Sequence, residues 1–181
     1  PENMQTLLQE TLSLMQEEIE NCDIEVKMDF PATVPNINVD RDQMKQVIYN
    51  VVKNAVQAAT GQGLLHITLS LSDNYLNIEF RDNGKGINPD DLGRIFEPYH
   101  TTKSSGSGLG LMIVQRIIQD HGGQIDVESK LNEGTRITLR LPLADRRVRL
   151  LHQSTADARP GEDVFAARPA TPPVDGDNES L

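Results

Sequence analysis

Cysteine is almost absent from this sequence, and long apolar runs are missing from it. Cys22 is the single cysteine, which excludes an internal disulfide and a zinc site built from thiolates. No apolar stretch approaches the roughly 20 residues needed to cross a bilayer, and residues 1–25 lack the basic-then-apolar pattern of an export signal. The sequence therefore predicts a cytoplasmic location for this segment, with any membrane anchor of the full-length protein lying upstream.

Positive charge is also scarce. The 181 residues include 17 lysines and arginines against 27 acidic residues, a formal net charge of -10. This balance argues against a protein that binds nucleic acid by releasing counterions from phosphates. It leaves nucleotide binding open, because backbone amides, a metal ion and one or two local cations are enough to hold a triphosphate. The length and the 37% hydrophobic content fit one domain with an ordinary core and an adjacent segment.

Periodic segments fill the chain up to about residue 143. Apolar spacing predicts helices over 5–19, 40–59 and 109–120, and alternation predicts strands over 24–30, 64–71, 75–81, 124–129 and 135–141. A further short strand is expected at 37–39, and Ser72-Asp73-Asn74 is expected to form a hairpin turn. The order helix-strand-helix-strand-strand-helix-strand-strand favours an α+β fold, a two-layer sandwich in which helices cover one face of a mixed, mostly antiparallel sheet.

The second predicted helix has two contrasting faces. Asp40 is a suitable N-cap, and Gln43 completes the spacing of a capping box. One stripe along the helix is apolar and consists of Met44, Ile48, Val51, Val52, Ala55 and Ala59. The opposite stripe collects four polar residues, Asn50, Lys53, Asn54 and Gln57. On periodicity alone this polar stripe is a solvated face, whereas the glycine-rich segments further along the chain favour a functional one.

Two glycine clusters lie on either side of a polar connector. The first is Asp82-Asn83-Gly84-Lys85-Gly86-Ile87, and the second is Gly106-Ser107-Gly108-Leu109-Gly110-Leu111. Glycine lets backbone amides approach phosphate oxygens, and the second cluster runs into a helix whose amino end attracts anions. That helix is apolar on more than one side, so we expect it to be buried under the sheet. Together the clusters predict a nucleotide pocket. The second cluster taken alone also fits a flexible hinge.

The composition changes after Ala144. Residues 145–181 contain several prolines, one aromatic residue and mixed charge without a period, so we expect this tail to be largely disordered. The basic patch Arg146-Arg147-Arg149 is interpreted as a solvated end of the domain or as a docking site for a partner. The predicted organisation is an incoming helix over 1–22, a domain core over 23–144 and the tail over 145–181.

Four blocks together resemble the N, G1, F and G2 boxes of the catalytic, ATP-binding domain of bacterial sensor histidine kinases. These blocks are the segment around Asn50 and Asn54, the two glycine clusters, and Phe96-Glu97-Pro98-Tyr99-His100-Thr101-Thr102-Lys103 between them. The resemblance covers roughly residues 5–143 and extends to the wider group of gyrase, heat-shock protein ninety and MutL-type ATPases. The F box is a kinase feature that those ATPases lack, and its Thr-Thr-Lys ending resembles nitrogen-regulation sensors. A Bergerat-type ATP-binding fold is implied.

The resemblance assigns the first glycine cluster to the adenine. Asp82 would accept a hydrogen bond from the 6-amino group, where guanine would present a carbonyl that repels the carboxylate; a strand-ending Asp before a turn is the alternative. Gly84, Gly86 and Ile87 would form the tight turn beside the base. Thr135 is similar to the family threonine that reaches the adenine through water, and it also suits a strand for structural reasons alone.

Mg²⁺ and the phosphates are placed by the resemblance beside the second helix. Asn54 is the implied magnesium ligand, since a neutral amide oxygen suits an ion that takes most other ligands from phosphates and water. Asn50, counted with the catalytic residues, stands where the ATPases carry a glutamate that activates water. Asparagine cannot take up that proton, which favours a kinase over an ATPase. Lys53 is expected to contact phosphate in place of the lysine that many relatives carry at Gln57.

The second catalytic candidate is Lys103, in the connector that the resemblance makes a mobile lid over the triphosphate. A cation near the γ-phosphate offsets charge that develops during transfer; otherwise Lys103 is an ordinary loop lysine. The start of the apolar helix is expected to bind phosphate oxygens through its free amides and its dipole. Its residues are Ser107, Gly108, Leu109 and Gly110.

The sequence lacks the phosphoryl acceptor that this family uses, a histidine beside an acid on a dimeric helical hairpin. His66, His100, His121 and His152 lie in other contexts. We therefore expect a monomeric catalytic domain that begins after such a hairpin, binds ATP and Mg²⁺, and does not phosphorylate itself. Its expected partners are the hairpin domain of the same kinase and a response regulator, with no nucleic acid.

Two other functions stay open at this point. A nucleotide-dependent module that sequesters a protein partner, as in anti-sigma relatives, would use the same pocket. A hydrolytic ATPase would use it as well. The F box and the amino-terminal helix favour the kinase.

Overall fold

The computed structural model describes residues 1–98 and 108–143. Its helices are α1 (Met4–Leu14), α2 (Gln16–Asn21), α3 (Arg41–Ala58), α4 (Pro89–Leu92) and α5 (Gly110–Asp120). Its strands are β1 (Ile24–Asp29), β2 (Gly63–Ser72), β3 (Tyr75–Asp82), β4 (Gln124–Lys130) and β5 (Gly134–Pro142). The predicted tail with its basic patch and the last part of the F box lie outside the described residues.

The five strands form one sheet in the order β1-β2-β3-β5-β4. β1 runs parallel to β2, and the other three pairs are antiparallel. This confirms the predicted α+β fold with a mixed, mostly antiparallel sheet. The β2–β3 turn is tighter than predicted, because Asp73 and Asn74 both have left-handed backbones (φ 48° and 69°), as a two-residue type I′ turn requires. Ser72 therefore belongs to the strand.

Helices cover one face of the sheet. Because strand side chains alternate, β2 turns Leu65, Ile67 and Leu69 into the core. The predicted apolar stripe of α3 packs on this face, with Met44, Ile48, Val51, Val52 and Ala55 buried. Ala59, the last member of the predicted stripe, is the C-cap and is only partly buried. The core therefore lies between the sheet and α3, with α5 beside it.

The second covering helix, α5, is less buried than its composition predicts. Val114, Ile117 and Ile118 enter the core. Leu111 and Ile113, in the first turn, are only half-buried. The expectation of burial on several sides was wrong for this turn, because among the described elements α5 packs mainly on α3, β4 and β5, and these leave part of its first turn accessible to solvent.

The single helix predicted over 5–19 is wrong in one respect, because Met15 interrupts it. The Met15 backbone (φ −100°, ψ 5°) departs from the helical range between α1 and α2. Met15 and Ile19 are buried in the core, whereas Leu14 lies on the surface, 79% exposed. Apolar spacing continues through this position and does not reveal the break.

Polar contacts fasten the amino-terminal segment to the domain. Glu2 forms an isolated antiparallel bridge with Ile37, so the short strand predicted there is reduced to one residue. Arg41 forms ion pairs with Glu2 (2.8 Å) and Glu10 (2.6 Å), and Lys45 forms a third with Glu10 (2.8 Å). Hydrogen bonds from Lys45 and Arg41 hold the pKa of the Glu10 carboxyl below its usual range. Charge complementarity thus joins α1 to the start of α3.

The amino end of α3 is fixed by two partners. Asp40 Oδ1 accepts from the Gln43 N–H (2.8 Å), which confirms the predicted N-cap. The Asp40 N–H, which a capping box would give to the Gln43 side chain, donates instead to His121 Nε2 (3.0 Å). His121 Nδ1 lies 2.7 Å from the carbonyl oxygen of Ile117, so the ring proton is on Nδ1 and the imidazole joins α5 to α3.

Candidate functional site

The polar stripe of α3 meets the first residue of α5. An ideal Cβ at Gly110 would lie 3.4 Å from Asn50 Oδ1 and 3.9 Å from Asn54 Nδ2. The Asn50 amide is itself held, because its Nδ2 donates to the carbonyl oxygen of Gln46 (2.9 Å). The structure therefore brings the two asparagines of the N box against the start of α5.

The amino end of α5 points backbone N–H groups into the same region. No side chain caps this end within the described part of the chain. The first N–H groups of a helix lie outside its own hydrogen-bond ladder and, together with the dipole, attract anions. Gly108 and Leu109 lead into the helix. Lys103 and Ser107, the other residues predicted here, lie outside the described residues.

The first glycine cluster packs against the carboxyl end of α3. A Cβ at Gly84 would lie 2.5 Å from the carbonyl oxygen of Ala58, closer than side chains tolerate. The same carbonyl accepts the Lys85 N–H (2.9 Å). The sequence argument attributed the glycine to a close approach to the base, whereas the close neighbour in the structure is the backbone of α3.

Asp82 is oriented by two backbone groups. Its Oδ1 accepts from the N–H of Gly84 (2.9 Å) and from the N–H of Thr135 on the neighbouring strand (3.2 Å). Asp82 is half-buried, and Thr135 is 8% exposed. β3 therefore ends in a carboxylate whose direction is set by both the glycine loop and β5.

The β4–β5 hairpin holds the glycine loop from the other side. Gly86 has a left-handed backbone (φ 67°), and a Cβ there would overlap the carbonyl oxygen of Lys130. A Cβ at Gly134 would likewise overlap the carbonyl oxygen of Asp82. Backbone contact of this closeness requires glycine, and it makes the loop and the hairpin one wall of the site.

Ser129 in β4 is a residue of this wall that the sequence analysis missed. Its hydroxyl oxygen accepts the Ile87 N–H (2.9 Å), donates to the carbonyl oxygen of Gly134 (2.9 Å) and lies 2.9 Å from Thr135 Oγ1. The sequence signal is the alternation in β4: Ile125, Val127 and Ser129 point inward, and Ser129 is the one polar residue among these three. Ser129 thus joins the glycine loop to β5.

Lys53 and Gln57 complete the polar stripe of α3. Lys53 Nζ lies 3.3 Å from the Tyr49 hydroxyl and 5.3 Å from the centroid of its ring. A cation over an aromatic ring at this spacing is attracted by the ring. The Lys53 ammonium is therefore turned toward the start of α3, while Asn54 faces α5. Gln57 is exposed.

Within residues 1–98 and 108–143, no group of three or more His, Cys, Asp or Glu side chains is placed to hold a metal ion. A divalent ion in this region would depend on an amide oxygen, water and ligand oxygens, the set that Mg²⁺ takes with phosphates. Across the same ranges, no helix combines the length and apolar character that crossing a membrane requires.

Comparison with known proteins agrees with this geometry. Residues 39–145 match the family described as histidine kinase-, DNA gyrase B-, and HSP90-like ATPase. The sensor histidine kinase ZraS of Escherichia coli strain K12 is 38% identical over 141 residues, which cover 78% of this chain and 30% of ZraS. The nucleotide-free catalytic domain of histidine kinase ThkA aligns with a TM-score of 0.73 at 31% identity, covering 81% of this chain and 96% of that domain. ThkA in complex with the response regulator protein TrrA aligns with a TM-score of 0.69 at 28% identity, covering 81% and 42% of the two chains.

The chain belongs to the family of histidine kinase-, DNA gyrase B-, and HSP90-like ATPases. Within that family it is homologous to the ATP-binding catalytic domains of sensor histidine kinases. It spans less than a third of ZraS, so the similarity concerns one part of that longer kinase.

Proposed function

We propose that this chain is the catalytic domain of a sensor histidine kinase, which binds ATP with Mg²⁺ and donates the γ-phosphoryl group to a histidine on a separate domain. The observation that carries the proposal is the pair of features along α3: an oriented carboxylate beside the glycine loop at its carboxyl end, and two asparagine amides against the amino end of α5. A purine amine, a metal ion and phosphate oxygens require groups of these three kinds.

Asp82 accepts a hydrogen bond from the 6-amino group of adenine in this proposal. Its Oδ1 is directed by the N–H groups of Gly84 and Thr135, so the carboxylate is oriented before the ligand arrives. An ionised carboxylate accepts hydrogen bonds and donates none, which favours an amine over the carbonyl that guanine presents. Gly86 and Ile87 form the wall beside the base, with Thr135 at its edge.

The triphosphate and Mg²⁺ lie between α3 and α5 in this proposal. Asn54 supplies a neutral amide oxygen to the ion, and Asn50 lies one turn before it, against Gly110. Because Asn50 cannot accept a proton from water, the pair suits transfer to another nucleophile better than hydrolysis. The N–H groups at the start of α5, after Gly108 and Leu109, hold phosphate oxygens.

Two cations are proposed to balance the charge of the triphosphate. The Lys53 ammonium rests against Tyr49, and a change of its side-chain rotamer would bring it to a phosphate oxygen of the nucleotide. Lys103 is assigned to the γ-phosphate, where charge develops during transfer. Ser107, next to the start of α5, is assigned a phosphate contact through its N–H and hydroxyl.

The phosphoryl acceptor is proposed to lie on another domain. His66 belongs to β2, and His121 is engaged by Asp40 and Ile117, so neither resembles a nucleophile on an exposed helix beside an acid. The proposed partners are a dimeric helical hairpin that carries the acceptor histidine and a response regulator. The complex of ThkA with a response regulator supports the second partner.

A reconstitution tests this function. The chain is mixed with the hairpin domain of the same kinase, Mg²⁺ and ATP labelled in the γ-phosphate. We expect acid-labile label on the hairpin histidine, no label on this chain alone, and no transfer when that histidine is replaced by glutamine. ATP binding without phosphohistidine would point to a partner-binding module instead. Steady phosphate release by this chain alone, at turnover rates typical of enzymes, would identify an ATPase.

A further inference from the structure

The Ser129 hydroxyl occupies the point where β4, β5 and the glycine loop meet. Ser129 is paired with Thr135 across the β4–β5 ladder. The earlier inward positions of β4 are the apolar Ile125 and Val127. A hydroxyl on such a row is costly unless its hydrogen bonds are made, so the partners of Ser129 show what it does.

The number of protons available fixes the direction of each hydrogen bond of the Ser129 hydroxyl. A serine hydroxyl has one proton to donate and two lone pairs with which to accept. The carbonyl oxygen of Gly134 only accepts, so the single Ser129 proton goes there (2.9 Å). The Ile87 N–H occupies one lone pair (2.9 Å). The bond to Thr135 Oγ1 (2.9 Å) is therefore donated by Thr135.

We propose that Ser129 is a positioning residue for adenine selection, because it takes the Thr135 proton and leaves the Thr135 oxygen as an acceptor toward the base. The inference rests on the proposed function, in which Asp82 and Thr135 face the purine. The Asp82 carboxylate is also an acceptor. When both are directed at the 6-position of the base, two neighbouring acceptors favour the amine of a 6-aminopurine and disfavour the carbonyl of a 6-oxopurine. Ser129 sets this polarity through Thr135.

The test compares ATP with inosine triphosphate, which carries a carbonyl in place of the 6-amino group and a proton on N1. Calorimetry on the wild-type chain is expected to show tighter binding of ATP. Ser129→Ala removes the acceptor of the Thr135 proton, so the Thr135 hydroxyl is free to donate toward the base. We expect the ratio of ATP to inosine triphosphate affinity to fall about fivefold, the size of one neutral hydrogen bond. Ser70→Ala, at an exposed position of β2, is the matched control and leaves the ratio unchanged.

Two further variants separate selection from a loss of structure. Ser129→Thr keeps the hydroxyl and is expected to retain the wild-type ratio. Thr135→Val alone and the double variant Thr135→Val/Ser129→Ala are expected to have the same ratio of ATP to inosine triphosphate affinity, because the valine has no hydroxyl for Ser129 to orient. If Ser129→Ala does not fold, Ser129→Cys takes its place, since a thiol keeps the side-chain size with much weaker hydrogen bonding.

The outcomes distinguish a failure of the role proposed for Ser129 from a failure of the proposed ATP-binding function. Equal weakening of both nucleotides by Ser129→Ala, or an unchanged ratio, would overturn the role of Ser129 while ATP preference in the wild-type chain kept the proposed function intact. A wild-type chain without preference for ATP would remove the proposed function and this inference with it.

Discussion

Replacement of Asp82 by asparagine tests the adenine site with little disturbance of the fold. The substitution keeps one side-chain oxygen, so the N–H groups of Gly84 and Thr135 retain their acceptor. It removes the negative charge and puts an NH₂ donor in place of the second carboxylate oxygen. A donor facing the 6-amino group of adenine cannot bind it. The change therefore acts on ligand recognition and leaves these two hydrogen bonds in place.

The size of the effect follows from the bond that is lost. Losing a hydrogen bond to a charged acceptor costs about 1 to 3 kcal/mol here, and each 1.4 kcal/mol is roughly a tenfold change in affinity. We expect ATP to bind roughly 5- to 150-fold more weakly in a calorimetric titration. Because both N–H groups stay paired, the thermal unfolding temperature is expected to change little.

Two further variants serve as comparisons for Asp82→Asn. Asp82→Ala leaves the N–H groups of Gly84 and Thr135 without their acceptor, at a cost of about 1 to 3 kcal/mol each where they are buried, so it is expected to lower the unfolding temperature as well. Asp126→Asn makes the same charge change at an exposed position of β4 and is expected to leave affinity unaltered. Unchanged ATP affinity in Asp82→Asn would refute the assignment of the pocket.

The remaining predictions concern the metal, the glycine loop, the tail and the amino-terminal helix. Asn54→Ala is expected to abolish the Mg²⁺ dependence of ATP binding, measured with and without the ion; undiminished stimulation would assign the metal to other ligands. Gly84→Ala places a Cβ 2.5 Å from the Ala58 carbonyl oxygen, so ATP affinity and unfolding temperature should both fall. Wild-type values of both would mean that the glycine loop moves aside at no cost. Removal of 145–181 is expected to leave thermal unfolding nearly unaltered, whereas a drop of many degrees would show a packed tail. Lys45 and Arg41 lower the pKa of Glu10 in the folded protein. The Glu10 carboxylate therefore stabilises the fold at pH values above its unfolded-state pKa of about 4.3, and this contribution is lost as the pH falls through the lower folded-state pKa. In Glu10→Gln, the free energy of unfolding should fall less steeply with decreasing pH in that window. The same pH dependence in the wild-type chain and the variant would contradict this.

Local patterns were sufficient to predict most of the sheet and α3. The hairpins β2–β3 and β4–β5 join neighbouring segments, so alternation and turn residues identify them. The α3 helix is defined by the Asp40 cap and its apolar stripe. The α4 helix had a local signal that was overlooked, since Asn88 caps it and Pro89 begins it. Four residues are too few for a periodic pattern.

Contacts between distant segments were not accessible to the same reasoning. The parallel pairing of β1 with β2 joins strands that are separated in the sequence by the whole of α3, and no local pattern marks the break at Met15. In the site, the residue types come from sequence blocks, but their connections come from the fold. Ser129 lies 42 residues from Ile87, and only the placement of β4 against the glycine loop joins them.

In the proposed adenine site, the hydrogen bond from the Thr135 N–H to Asp82 makes the register of β3 and β5 part of ligand selection. In this register Arg81 stands opposite Arg136. A one-residue deletion in the turn before β5 that shifted this ladder would present Arg136 where Thr135 now stands and carry the threonine to the opposite face. Nucleotide preference would change with the Asp82 carboxylate still in the chain. The length of the β4–β5 turn therefore matters to this selection as much as the identity of the acid does.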